Sequence, residues 1–444
     1  MKARWFANLV LLGASLLCVA AGLMALGTAR AYQVGSLHRA LFVGGPLLLG
    51  AGLLVCLRLP VDFRVGLAMT LLSLVVAAYG AEIYLRQLPT IRIRQAARRF
   101  GVPYDGRSRA EVVRDLRAKG KDAWPAMFPA WQGFPHQDGT LLPLGGIANV
   151  TTVFCNEMGQ YVVYASDEHG FHNPPGIWTS RDIEVAVLGD SFAQGDCVPS
   201  DQNFTALIRR EYPGTLNLGM RGNGPLLMLA GLKEFLVELR PGIVIWVYTE
   251  GNDLVSDLDH EKRDPVLTDY LRAGYRQGLL GRQNEIDAFL RGVADREYVA
   301  PRSSLQEFRL QRFLRLWSVR DVLGLQLEAS TSISEHPDTS LFRRILEEAQ
   351  RTTRGWGGEL YFVYLPSEAR YFENKLRHGY DPSRREVLSI VQDLKIPPID
   401  LDGPISRSPD IPELYAFRGG HFSPAGNRLV AESILKVLRS HAGN

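Results

Sequence analysis

The sequence predicts an α/β domain built on a parallel sheet, carried behind a membrane-spanning helical region at the amino terminus. Three observations predict it. Short apolar runs at 183–188, 215–220, 243–249, 359–365 and 396–400 alternate with segments of helical periodicity, which is the pattern of βαβ units. The run at 183–188 leads straight into Gly189-Asp190-Ser191, so a serine stands at the carboxyl end of a strand, where open α/β sheets place their sites. Three nearly unbroken apolar runs occupy the first part of the chain, two of them long enough to span a bilayer and the middle one somewhat short.

Composition narrows the functional classes. The 444 residues suffice for two or three units. With 50 basic and 47 acidic side chains the net charge is +3, a balance that suggests no nucleic-acid partner. Of the four cysteines, Cys18 and Cys56 lie in apolar runs. Cys155 and Cys197 are either one disulfide, if their domain is extracytoplasmic, or two buried thiols. The chain has no CxxC motif and no Cys/His cluster, so no metal site is expected.

In chain order, runs 5–26, 41–57 and 65–85 read as three retained membrane helices within residues 1–88. The first exceeds the apolar core of a signal peptide. Glu82, near the end of the third, reads as interfacial. Lys2, Arg4, Arg58 and Arg64 favour a cytoplasmic amino terminus and place the rest of the chain in the periplasm. Arg86, Arg92, Arg94, Arg98 and Arg99 crowd the exit of the third helix and argue the reverse. Residues 89–150 read as a basic helical connector, broken at Gly101-Val102-Pro103, followed by an irregular Pro- and Gly-rich linker lying over the next domain.

The remaining domain spans 151–444. A hairpin is expected at 152–163, turning at Met158-Gly159-Gln160. His169 and His172, in the loop that follows, read as hydrogen-bonded structural residues. Beyond Ser191 come a helix at 204–210 and the strand at 215–220, which ends in a glycine turn. A helix at 226–239 precedes the strongest strand, 243–249, which opens onto Glu250-Gly251-Asn252-Asp253. Residues 255–337 form a charged helical insertion, with Leu305, Phe308, Leu310, Phe313, Leu314 and Trp317 near one face and a position suited to capping a site. Helices at 341–353 and 383–394 flank the last two strands. His421 lies in the run Gly419 to Asn427 and opens a final helix at 428–438.

Four of these stretches, in this order, resemble the blocks of the SGNH (GDSL-like) hydrolases: Gly189-Asp190-Ser191, Asn217-Leu218-Gly219, Gly251-Asn252-Asp253, and Gly420-His421-Phe422-Ser423. The stretch 167–174 resembles the lead-in that often precedes the first block. The resemblance implies a flavodoxin-like three-layer α/β/α sandwich. It implies Ser191 as nucleophile and His421 as the carrier of its proton. The chemistry so implied requires no cofactor. The Ser191 and Gly219 amides and the Asn252 side chain would form an oxyanion hole, with Asp190 and Asp253 in support. The family usually has an aspartate three residues before the histidine; Arg418 stands there. His421 is then held by a backbone carbonyl, by Glu413, or by an acid elsewhere such as Asp410.

The expected function is a serine esterase, anchored in the inner membrane, that removes O-acyl groups such as acetyl from an envelope or exported polysaccharide. Its partners would be the acylated glycan, the membrane and polysaccharide-assembly proteins. Two alternatives stand. One is an O-acyltransferase using the same serine and histidine. The other is a non-catalytic glycan-binding or assembly protein on a decayed scaffold, a reading that rests on Arg418.

Overall fold

The computed structural model describes residues 2–31, 40–128, 141–180, 182–300, 310–325, 337–372 and 380–442. The chain forms two compact units, Met1–Ile91 with Arg302–Ser334, and Arg92–Pro301 with Glu335–Asn444.

Among the described residues the first unit includes three apolar helices, Lys2–Ala31, Gly45–Cys56 and the first part of Val61–Arg99. The first and third are long and apolar enough to cross a membrane; the middle one is shorter. Small residues let the first two approach. Ser15 Oγ donates to the Gly50 carbonyl at 2.9 Å, and a Cβ at Gly22 would meet Leu47 at 2.8 Å. The third helix does not stop at residue 88. It runs through Pro89 to Arg99, so the expected boundary falls inside a helix. The apolar run ends near residue 85, but the backbone hydrogen-bond ladder continues past it.

Among the described residues the second unit holds two sheets. The small one comprises β1 (Ala123–Pro125), β2 (Thr151–Val153) and β3 (Val163–Ala165). The main one comprises β4 (Val185–Leu188), β5 (Thr215–Asn217), β6 (Ile243–Thr249), β7 (Glu359–Leu365) and β8 (Pro398–Asp400). The main sheet is parallel throughout, in the order β5-β4-β6-β7-β8. Each parallel neighbour requires a crossover, and the helices supply two outer layers.

Alternation along the strands assigns side chains to those layers. Val185, Val187, Ile245, Val247 and Val363 face one core, shared with Phe204, Ile208, Val430 and Ile434 of helices Phe204–Arg209 and Pro424–Ala442. Ala186, Leu188, Trp246, Tyr248 and Phe362 face the other, shared with Leu229, Phe342 and Ile345 of Pro225–Gly231 and Thr339–Gly355. This is the three-layer α/β/α sandwich, with flavodoxin-like strand order.

Two expectations need correction. The stretch expected as an irregular linker over the domain is part of the domain itself. Its residues form β1, and Trp124, Phe128, Leu141, Leu142 and Leu144 are buried in the main core. Apolar side-chain area outweighs the irregular backbone there, since burying each large side chain is worth roughly 1.5–3 kcal/mol. The insertion is also not one element. Tyr270, Leu279, Ile286 and Leu290 are buried in the main core, whereas residues 310–325 belong to the first unit. Leu305 and Phe308 lie outside the described residues.

Candidate active site

The site forms at the carboxyl ends of β4 and β6. Gly189 turns the chain off β4 where a Cβ would meet Ala193 at 2.7 Å and Val247 at 3.0 Å. Asp190 caps the short helix Ser191–Gln194, accepting from the Phe192 amide at 2.9 Å. Its other oxygen accepts from Asn252 Nδ2 at 2.8 Å, which ties the loop after β6 to the serine turn. Ser191 begins the helix, so its own amide has no intrahelical acceptor.

His421 lies in the loop before the last helix. An isolated antiparallel bridge between Tyr415 and Phe422 shapes this loop, and the Ala416 amide donates to the His421 carbonyl at 2.8 Å. His421 Nε2 is 2.9 Å from Ser191 Oγ. Phe192 packs beside the imidazole, with ring centroids 5.0 Å apart.

The ring is oriented by Glu157, in the loop joining β2 and β3. Glu157 Oε1 lies 2.7 Å from His421 Nδ1, and Oε2 accepts the His421 backbone N–H at 2.8 Å. Two bonds from adjacent donors fix the carboxylate. The Nδ1 proton then sits toward Glu157, leaving Nε2 to accept from the Ser191 hydroxyl. Burial alone would raise the Glu157 pKa, but the hydrogen bond and charge of His421 outweigh it and hold it below the usual value.

The orienting group is thus an acid elsewhere in the chain, but neither of the two named candidates, Glu413 and Asp410. The Glu413 carbonyl accepts from Ser423 Oγ, and the Asp410 carboxylate caps the Glu413 amide. The Arg418 guanidinium lies over the Phe372 ring, 5.9 Å from its centroid. Glu157 was not legible because the residue stands 264 positions from His421. The one available signal is its neighbour. Cys155 and Cys197 are joined in a disulfide, which ties the Glu157 loop to the serine turn.

A second carboxylate faces the imidazole. Asp196 Oδ2 lies 3.5 Å from His421 Nε2 and accepts from Arg221 Nε at 2.7 Å. Asp196 is buried, and its Oδ1 has no hydrogen-bond partner among the described residues. Burial raises its pKa, against the opposing charges of Arg221 and His421. Burial would lower the pKa of His421, but the Asp196 charge and the Glu157 hydrogen bond raise it above the usual value. Arg221 also stacks on Phe128, 5.2 Å from its centroid.

The glycine assigned to the oxyanion hole needs correction. The Gly219 amide is already committed, donating to Asn217 Oδ1 at 2.8 Å. Its glycine requirement is steric, because a Cβ there would lie 2.5 Å from the Gln194 amide. Gly222, in the same turn, adopts φ +80°. Its amide has no hydrogen-bond partner among the described residues. Asp253 Oδ2 accepts the Thr249 amide at 3.1 Å, inside the fold.

The two loop histidines are engaged elsewhere. His169 Nδ1 is 3.2 Å from Gln283 Oε1, and His172 bridges the Gln194 carbonyl and Ser200 Oγ. Glu157, Cys197 and His421 cluster closely, but the disulfide removes Cys197 as a thiolate ligand. The lead-in stretch has a structural task. Asp167 accepts from the His169 and Phe171 amides and from the Asn173 and Trp178 side chains, and Asn173 clamps β5 through Asn217.

No family model matches the chain, and no curated protein matches it. Among solved structures it is similar to TesA, at 12% identity and a TM-score of 0.33 over 58% of this chain and 98% of that one. It is similar to a lipase/acylhydrolase from Enterococcus faecalis, at 15% identity and 0.33 over 58% and 95%. It is also similar to the acetyl xylan esterase AlAXEase, at 12% and 0.31 over 57% and 98%. Likenesses this distant assign no role to any residue.

Proposed function

We propose that the chain is a membrane-anchored serine esterase of the SGNH type, acting on O-acyl groups of an envelope or exported polysaccharide. One observation carries the reading: the unbroken line from Glu157 through His421 to Ser191, with contacts of 2.7 and 2.9 Å. Nucleophile, base and orienter stand in hydrogen-bond sequence, which is the arrangement that activates a serine. An acid supplied by Glu157 also removes the ground for a decayed scaffold, which rested on Arg418.

In the reaction, Ser191 Oγ attacks the ester carbonyl as its proton passes to His421 Nε2. Glu157 holds the ring and stabilises the imidazolium. The amides of Ser191 and Gly222 and the Asn252 side chain are the donors assigned to the oxyanion. Collapse breaks the bond to the sugar oxygen, which leaves as the alcohol with the proton from His421. Water then repeats the cycle and releases the acid and free Ser191. If a sugar hydroxyl replaces water in the second half, the same residues transfer the acyl group instead.

Two apolar helices support anchorage, and a disulfide in the catalytic domain supports an oxidising, periplasmic location. The full-length protein is assayed with a chromogenic acetyl ester beside Ser191→Ala and His421→Ala. Both variants should lose nearly all turnover, and equal rates in all three would overturn the reading. Added acceptor sugars, with acylated product sought by mass spectrometry, separate transfer from hydrolysis. A periplasm-only reporter fused after Asn444 tests the location.

A further inference from the structure

The first unit holds a carboxylate that the proposed chemistry does not use. Glu82 sits in the third long helix, near the end of its apolar stretch, and is fully buried. Neighbouring side chains on that helix, Val75, Val76, Ile83 and Tyr84, are exposed. A charge at such a depth is tolerated only with partners. Its partners come from Arg86, one turn on, and from residues 310–325, far later in the chain.

Those residues form two short helices, Leu310–Leu314 and Trp317–Val322, joined through Leu316 at φ +49°. Glu82 Oε1 accepts from Arg86 Nε at 2.8 Å and from Ser318 Oγ at 3.1 Å; Oε2 accepts from the Val319 amide at 3.0 Å. Glu82 therefore caps the second short helix, whose first amides lack intrahelical acceptors. Tyr79, on the same face one turn earlier, donates its hydroxyl to the Leu314 carbonyl at 3.0 Å, at the end of the first short helix. Phe313 packs on Tyr79 at 5.1 Å and lies under the Arg86 guanidinium at 5.2 Å. Both sides of one turn are thus held by two residues of one membrane helix.

This hairpin exposes a set of apolar side chains beside Gln311, Arg312, Arg315 and Asp321. Leu310, Leu314, Val322, Leu323 and Leu325 are exposed, with Val322 at 69%. The helix that the hairpin docks on exposes apolar side chains of its own, Val75, Val76, Ile83 and Tyr84 among them. Arginines 312, 315 and 320 interleave with the apolar residues of the hairpin, and Arg312 stacks on Trp317 at 4.9 Å. Apolar side chains mixed with arginine and tryptophan are the composition of the headgroup–acyl boundary of an anionic bilayer.

We propose that residues 310–325 are a membrane-seated hairpin, clamped to the third membrane helix by Glu82 and Tyr79 and bearing its leucines into an anionic phospholipid bilayer. This rests on the membrane reading above and extends it: the chain returns to the bilayer from within the catalytic domain's sequence.

The test uses the full chain with Cys18→Ser and Cys56→Ser and one spin-labelled cysteine, at Leu314→Cys, Leu323→Cys or Leu74→Cys. Each is reconstituted in phosphatidylglycerol–phosphatidylethanolamine vesicles. Labels at 314 and 323 should meet oxygen more than a water-soluble nickel chelate, as the label at 74 does. Glu82→Ala should shift the label at 323 toward the chelate. If 74 stays in lipid while 314 and 323 favour the chelate, or are shielded from both reagents by protein, the hairpin proposal is overturned. If Glu82→Ala moves nothing, the clamp is overturned. Exposure of 74 itself to the chelate would instead sink the membrane reading.

Discussion

Glu157→Gln changes one atom of the orienting group and leaves its volume alone. In the native site the carboxylate accepts two donors at once, the ring Nδ1–H at 2.7 Å and the His421 backbone N–H at 2.8 Å. Glutamine offers one acceptor and one NH₂ in the same two places. With its oxygen on the backbone N–H, its NH₂ faces Nδ1 and favours the tautomer protonated at Nε2. That tautomer cannot take the Ser191 proton. With its oxygen on Nδ1, the NH₂ meets the backbone N–H donor to donor. The imidazolium also loses its counter-charge in either case. The expected fall in kcat is roughly 10³–10⁴-fold, the scale of losing the orienting acid in a serine triad. That corresponds to about 4–5.5 kcal/mol of barrier. The assay is turnover of a chromogenic acetyl ester, with thermal melting to confirm that the variant is folded. Glu413→Gln and Asp410→Asn serve as controls and should keep nearly full rate. A folded Glu157→Gln protein within about tenfold of the parent, or a large loss in either control, would refute the assignment.

Asp196→Asn should move the acid limb of the kcat/KM profile to lower pH. The neutral imidazole is the active base, so the rate rises with pH through the His421 pKa. Asp196 helps raise that pKa above its usual value, and removing the charge lowers it; an unmoved or upshifted limb would contradict the electrostatics. Cys197→Ser opens a cross-link between residues 42 apart and should cost about 4 kcal/mol by chain entropy, read as a lower denaturant midpoint against the oxidised parent. Gly219→Ala should destabilise the fold by about 1–3 kcal/mol, because its Cβ meets backbone at 2.5 Å; unchanged stability with lost turnover would restore Gly219 to the oxyanion hole.

Much of the scaffold is legible in the sequence. The five main strands are local apolar runs: β6 and β7 coincide with their expected stretches, and β4, β5 and β8 lie within theirs, shortened at one end. The structure brings Ser191, His421 and Asn252 together from three separate strand ends or helix entries. These positions are legible because strand periodicity, glycine turns and helix entries are short-range features of the chain. The linker that ends at residue 150 is not legible as part of the domain, for the converse reason. Its backbone signals are irregular, but its buried tryptophan, phenylalanine and leucines answer to a core built from distant segments.

By itself the sequence determined where strands end and which side chains stand in the turns that follow, since backbone preference and periodicity act over a few residues. Tertiary structure alone decided which acid meets His421, because a carboxylate gains a role only from what lies within about 3 Å of it. Glu157 reaches the ring through a loop held by a disulfide, and apart from the nearby Cys155 nothing in its immediate sequence distinguishes it from Glu413 or Asp410. Folding also assigned the Gly219 amide to Asn217 and the Glu82 carboxylate to a helix from the far side of the chain. Hydrogen-bond partners are chosen by distance in space, and separation along the chain does not encode it.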